Sequence, residues 1–223
     1  MGNLLINVLF SAFFGIIVFI ILLRKSNLKA EGILIPMIIG LCAVFPASLI
    51  EYALSSKTGT VTNLFKTFIN AFIIASLVEE TIKFLVIKIL FSVRKINNLK
   101  DGIATAAAVG TGFACLENIM YSFDSSIIIM FRTFTAMPLH IITAGIMGYF
   151  SLKSVHSGKY GQARGFSEAF LIHGFYNFLI SLRSLISFFA IPLLFLAGYR
   201  LYRLSKSADL KKTDTPLPEL SNK

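Results

Sequence analysis

The chain has 223 residues, 56% of them hydrophobic and only 14% charged, with a mean hydropathy of +0.77, whereas soluble domains carry about 45–50% apolar and about 25% charged residues. That excess excludes a soluble globular domain and makes lipid the solvent. The formal net charge of +10 would suggest a nucleic-acid partner in a soluble protein, but here the cations flank apolar runs, so we expect no nucleic acid and read the basic pattern as membrane topology.

Apolar runs close to the roughly 20 residues that a bilayer requires predict seven helical spans, over 3–23, 32–54, 66–91, 102–122, 126–151, 165–183 and 185–204. The first lacks a positive leader, so it reads as a retained span and not a cleaved signal; Ile6 stands where N-myristoylation needs Ser or Thr. Arg24, Lys25 and Lys29 follow it. The second ends near Glu51 and is followed by Lys57. The third carries Glu79, Glu80 and Lys83 in mid-run, with Lys66 and Lys88 placed to snorkel to opposite interfaces; Arg94, Lys95 and Lys100 come next. Asp101-Gly102 reads as the cap of the fourth, whose Ala104, Ala106, Ala107, Ala108, Gly110 and Gly112 allow close helix approach before Glu117-Asn118. The fifth holds Arg132, expected to pair with Glu51 near the outer face, and His140 after Pro138; Lys153, His156, Lys159 and Arg164 follow. The sixth places His173 and Asn177 four residues apart, on one helical face, and Arg183 marks its end. Arg200, Arg203, Lys206, Lys211 and Lys212 lie at and after the end of the seventh.

The cations therefore concentrate in the odd loops and the tail, which puts these in the cytoplasm and the N-terminus outside. The fold expected is an all-α polytopic transmembrane bundle over 1–204, with a disordered cytoplasmic tail over 205–223 around Pro216 and Pro218. Cys42 and Cys115 sit within apolar segments and read as small packing residues.

Ionisable groups in a bilayer cost several kcal/mol each and are functional candidates by default. Glu79, Glu80, Glu117, His140, His173 and Asn177 form such a set, provided that four spans bundle to bring them together. Glu79 and Glu80 project about 100° apart on one helix, so one can face a site while the other bonds a neighbour. Peptide hydrolysis needs an activated water, a stabilised oxyanion and a protonated leaving amine. Carboxylate, imidazole and amide groups can fill these roles, and the same residue types also bind Zn²⁺, with His140, His173 and Glu117 as candidate ligands. The spacing is compatible with a glutamate-activated and with a metal-bound water. The H-E-x-x-H, G-x-S-x-G and G-x-G-D signatures are absent from the sequence.

The E-E-x-x-K run at Glu79, Glu80 and Lys83, the F-x-x-x-E run from Phe113 to Glu117 followed by Asn118, His140, and H-x-x-x-N at His173 and Asn177 together resemble the PrsW family of bacterial intramembrane proteases, within the CAAX-protease and bacteriocin-processing (Abi) superfamily. The resemblance covers roughly residues 75 to 180. It implies a multi-pass protein of the bacterial cell membrane whose peptidase activity makes the first, extracytoplasmic cut in a single-span anti-sigma factor, releasing a sigma factor in envelope stress. It also implies catalytic roles for Glu79, Glu80 and His173, with Glu117, His140 and Asn177 in support. Related CAAX endopeptidases have a histidine where this chain has Glu117, a place His140 can fill. Two other classes fit the same buried groups: an ion-coupled transporter in which the carboxylates relay protons, and a non-catalytic immunity or scaffold protein of the superfamily.

Overall fold

The computed structural model describes residues 2–55, 63–94, 96, 98–121, 126–157 and 160–211. The expected Lys57, Lys95, Lys159 and the segment 212–223 lie outside the described residues. The regular structure among the described residues is entirely helical: α1 Gly2–Lys25, α2 Ala30–Ser55, α3 Leu64–Ile69, a π-helical stretch Asn70–Ser76, α4 Leu77–Arg94, α5 Leu99–Met120, α6 Ser126–Ser157, α7 Tyr160–Ser181, a 3₁₀ turn Leu185–Phe189 and α8 Ala190–Lys211. α3, the π stretch and α4 run on without a break, so the expected third span is one rod with a widened turn. Among the described residues, five stretches are long and apolar enough to cross a membrane: Val8–Lys25, Ala30–Ser55, Leu99–Met120, Met130–Ser154 and Leu185–Asp209. The expected spans over 66–91 and 165–183 are less apolar because they carry Glu79, Glu80, Lys83, Glu168 and His173.

The bundle is built around α5, which packs against α6, α2 and α1. Every residue of α5 from Asp101 to Ala114 is buried. Small side chains make this possible, as expected for the fourth span: a Cβ at Gly112 would lie 1.8 Å from the Met37 carbonyl oxygen of α2, and one at Gly110 2.3 Å from the His140 carbonyl oxygen of α6. In lipid, where apolar burial between helices yields little, such backbone approach is what packs them. The outer surface is apolar, with Leu49, Phe65, Leu185, Phe189, Phe195 and Leu196 exposed, as suits a chain whose solvent is hydrocarbon.

One end of the bundle is stitched by polar contacts between the α1–α2 and α4–α5 connections. Arg94 Nη1 donates to the Gly32 carbonyl at 3.1 Å, and Asn27 N donates to Asp101 Oδ1 at 2.8 Å. α5 is capped by Asn98, whose side chain accepts from Asp101 N; the expected cap, Asp101, instead sits in the first turn and ties in Asn27, because the helix starts three residues earlier than expected, at Leu99. α8 also extends past its expected end: residues 205–211 continue the helix instead of opening a tail. Leu204 and Ala208 join a core with Ile103, Ile142, Ile146 and Tyr149, and the Tyr149 and Ser207 hydroxyls meet at 2.9 Å.

Candidate active site

At the middle of the bundle, α4 carries Glu79, Glu80 and Lys83, all buried, and faces α5, α6 and α7. The π stretch Asn70–Ser76 ends just before Glu79; a widened turn re-aims the residues that follow it. Ser76 Oγ fixes that end of the turn to α7 by donating to the Phe170 carbonyl at 2.7 Å. α6 contributes His140, 2% exposed, and α7 contributes His173, 1% exposed. Their rings meet edge to face with centroids 5.0 Å apart.

Each imidazole is held by a carboxylate through one nitrogen. His173 Nδ1 lies 2.6 Å from Glu80 Oε1, and His140 Nε2 lies 2.7 Å from Glu117 Oε2. Each presents its other nitrogen to Glu79: His140 Nδ1 is 3.7 Å from Glu79 Oε2, and His173 Nε2 is 4.0 Å from Glu79 Oε1. The two holding carboxylates are themselves matched by cations. Lys83 Nζ donates to Glu80 Oε1 at 2.6 Å and meets His140 Nδ1 at 2.9 Å, while its ammonium lies 4.8 Å from the centre of the Phe113 ring. Arg132 Nη2 donates to Glu117 Oε1 at 2.6 Å, and its guanidinium stacks 3.8 Å from the centre of the Tyr121 ring. Thr143 Oγ1 adds a donor to Glu80 at 3.3 Å.

Glu79 remains, with Oε2 making no hydrogen bond. It forms part of the wall of an open cleft of about 280 Å³ between α2, α4 and α5, together with Val44, Ala47, Ser48, Glu51, Phe113, Glu117, Met120 and Tyr121. The site is thus buried on the α6–α7 side and reached from the end of α2 and α5 remote from the Arg94 and Asp101 contacts.

Of the six residues singled out in the sequence, Glu79, Glu80, Glu117, His140 and His173 come together, and their division of labour follows the 100° offset expected of Glu79 and Glu80. Asn177 is half-buried on α7 and is not bonded to these five. Among the described residues, Glu79, His140 and His173 have ligand atoms mutually within 4.8 Å; Glu117, a candidate ligand in the sequence, lies 2.7 Å from His140 Nε2. One expectation is corrected. Arg132 pairs with Glu117 and not with Glu51, because Glu117 lies one loop away on the neighbouring helix. Lys83 was legible in the E-E-x-x-K run, but its reach to His140 was not, since that contact crosses from α4 to α6.

The donor set suits a metal ion. One carboxylate and two imidazoles are a familiar catalytic ligand set, Glu79 Oε2 is a buried acceptor with no hydrogen bond of its own, and Glu80 and Glu117 occupy the positions of outer carboxylates that orient ligating imidazoles.

The model of a family described as PrsW family intramembrane metalloprotease matches residues 29–199. The chain is 32% identical over 179 residues to Protease PrsW of Oceanobacillus iheyensis, covering 76% of this chain and 81% of that protein. It is 30% identical over 164 residues to Protease PrsW of Geobacillus kaustophilus, covering 70% and 71%. It is 25% identical over 191 residues to Protease PrsW of Bacillus subtilis, covering 82% and 86%. No solved structure shows significant similarity to the chain.

Proposed function

The chain belongs to the PrsW family of intramembrane metalloproteases, and from that premise we propose that it makes the first, extracytoplasmic cut in a membrane-anchored, single-span anti-sigma factor. One observation carries the assignment of its centre: two imidazoles, each clasped by a carboxylate, gather with Glu79 at the wall of a cleft so that their ligand atoms lie within 4.8 Å of one another, with Lys83 Nζ 2.9 Å from His140 Nδ1.

Glu79, His140 and His173 would hold the ion. When bound, it supplies Lewis acidity to the scissile carbonyl and to water. Glu80 and Glu117 keep the imidazoles from rotating, which fixes their tautomers and directions. Lys83 and Arg132 balance those two carboxylates, so that the groups stay charged where water is scarce. Glu79, which would hold the ion through one oxygen, would accept the proton of the attacking water at its other oxygen and return it to the departing amine.

Cation distribution puts the N-terminus outside, which places the C-terminal ends of α2 and α5, and with them the mouth of the cleft, toward the outer face. A substrate segment just outside its own span reaches Glu79 from that side, in keeping with an extracytoplasmic cut.

The test is cleavage of a single-span anti-sigma factor by the purified protein in detergent, for the native chain, Glu79→Gln and His173→Ala, with chelator and with metal restored. Both variants should lose at least about 10³-fold in rate while keeping their helical content, as losing one catalytic group typically costs on this scale. Cutting at the native rate by both variants would sink the assignment.

A further inference from the structure

We propose that Glu51 is the specificity-determining residue of the cleft and receives a Lys or Arg side chain of the substrate; this deepens the peptidase reading and names the substrate feature that it prefers. Four acidic side chains lie in or beside the cleft, and three are accounted for. Glu80 is paired to Lys83 at 2.6 Å, Glu117 to Arg132 at 2.6 Å, and Glu79 faces the two imidazoles. Glu51, in the last turns of α2, makes no ion pair or hydrogen bond among the described residues. It is half-buried, and it stands outside the group of ligand atoms formed by Glu79, His140 and His173, so an ion at that centre does not claim it.

A carboxylate held in a membrane helix without a partner is costly, and a ligand cation that enters the cleft relieves that cost. The walls around it say which kind. Val44, Ala47 and Glu51 follow one another along one face of α2, and Phe113 of α5 lines the same cleft; a long side chain with its apolar stem along Val44 and Ala47 and its charged head at Glu51 fits that order. Glu79 lines the same cleft, and under the peptidase reading it marks where the scissile peptide sits, so Glu51 reads a residue close to the cut.

The experiment uses the full chain in phosphatidylcholine nanodiscs and fluorescent polyleucine single-span peptides that differ only in an outer flank of Lys, Gln or Glu. The native protein should bind the Lys-flanked peptide about tenfold more tightly than the Gln-flanked one, a modest value for a partly buried charge pair. Glu51→Gln should erase that ratio, and Glu51→Lys should turn it toward the Glu-flanked peptide; should Glu51→Lys fail to fold, the near-isosteric Glu51→Gln decides alone. A ratio near one in the native protein, or a ratio unchanged in Glu51→Gln, overturns the proposal. Cleavage of the same peptides is followed separately. A Glu51-dependent preference without any cut refutes the peptidase reading and leaves Glu51 a cation-binding residue, whereas cleavage without a preference does the reverse.

Discussion

Lys83 gives the sharpest test of how the site is held. Its ammonium is fully buried, 2.6 Å from Glu80 Oε1, 2.9 Å from His140 Nδ1 and 3.9 Å from Glu79 Oε2. Lys83→Met keeps the length of the side chain and removes the charge, which leaves Glu80 as a buried carboxylate with only His173 and Thr143 beside it. Breaking a buried pair by deleting one partner costs about 3–5 kcal/mol, most of it the penalty of the charge left behind. In Lys83→Met/Glu80→Gln that charge is gone as well. The double variant should therefore recover about 2 kcal/mol or more of the loss, a coupling of the size found between contacting residues. Recovery stays incomplete, because Glu79 also loses its nearest ammonium. Unfolding in mixed micelles by rising fractions of dodecyl sulfate measures all four members of the cycle. A cost below about 1 kcal/mol for Lys83→Met, or a double variant as unstable as the sum of the singles, would refute the view that Lys83 is there to neutralise Glu80.

Removing bound metal by dialysis against chelator should lower the stability of the native protein, and restoring Zn²⁺ at one hundred times its Kd should return about 2.7 kcal/mol; in His173→Ala the same titration should change nothing, as read by the same unfolding assay. Gly112→Ala should cost about 1–3 kcal/mol as an overpacking change and reduce cleavage, since its methyl group meets the α2 backbone at 1.8 Å and pushes the cleft wall away from α5. Gly198→Ala, whose nearest new contact is Ile142 Cδ1 at 3.7 Å, should be neutral or slightly stabilising in both assays.

What the sequence makes legible here is what the bilayer enforces. A backbone that must satisfy itself in hydrocarbon has only the helix available, so the apolar runs give the rods directly. The same solvent makes Glu79, Glu80, Glu117, His140 and His173 conspicuous, and their meeting in the bundle follows from the cost of leaving any of them in lipid. Partner choice is a different matter, because it depends on depth and rotation. Depth arithmetic, good to about a helical turn, put Arg132 beside Glu51; a short connection between α5 and α6 puts it beside Glu117 instead. Rotation is set by the π stretch Asn70–Ser76, which an apolar run of Ala, Phe and Ile does not announce.

The tail shows the limit from the other side. Polar composition after Ser205 suggested disorder, yet Leu204 and Ala208 continue an apolar stripe that α6 buries, so tertiary packing extends a helix that composition alone would end. Glu51 follows the same logic in reverse. As a lone charge late in a span it looked like half of a structural pair, and only the discovery that its expected partner is occupied turns it from a stabilising residue into one that waits for a ligand.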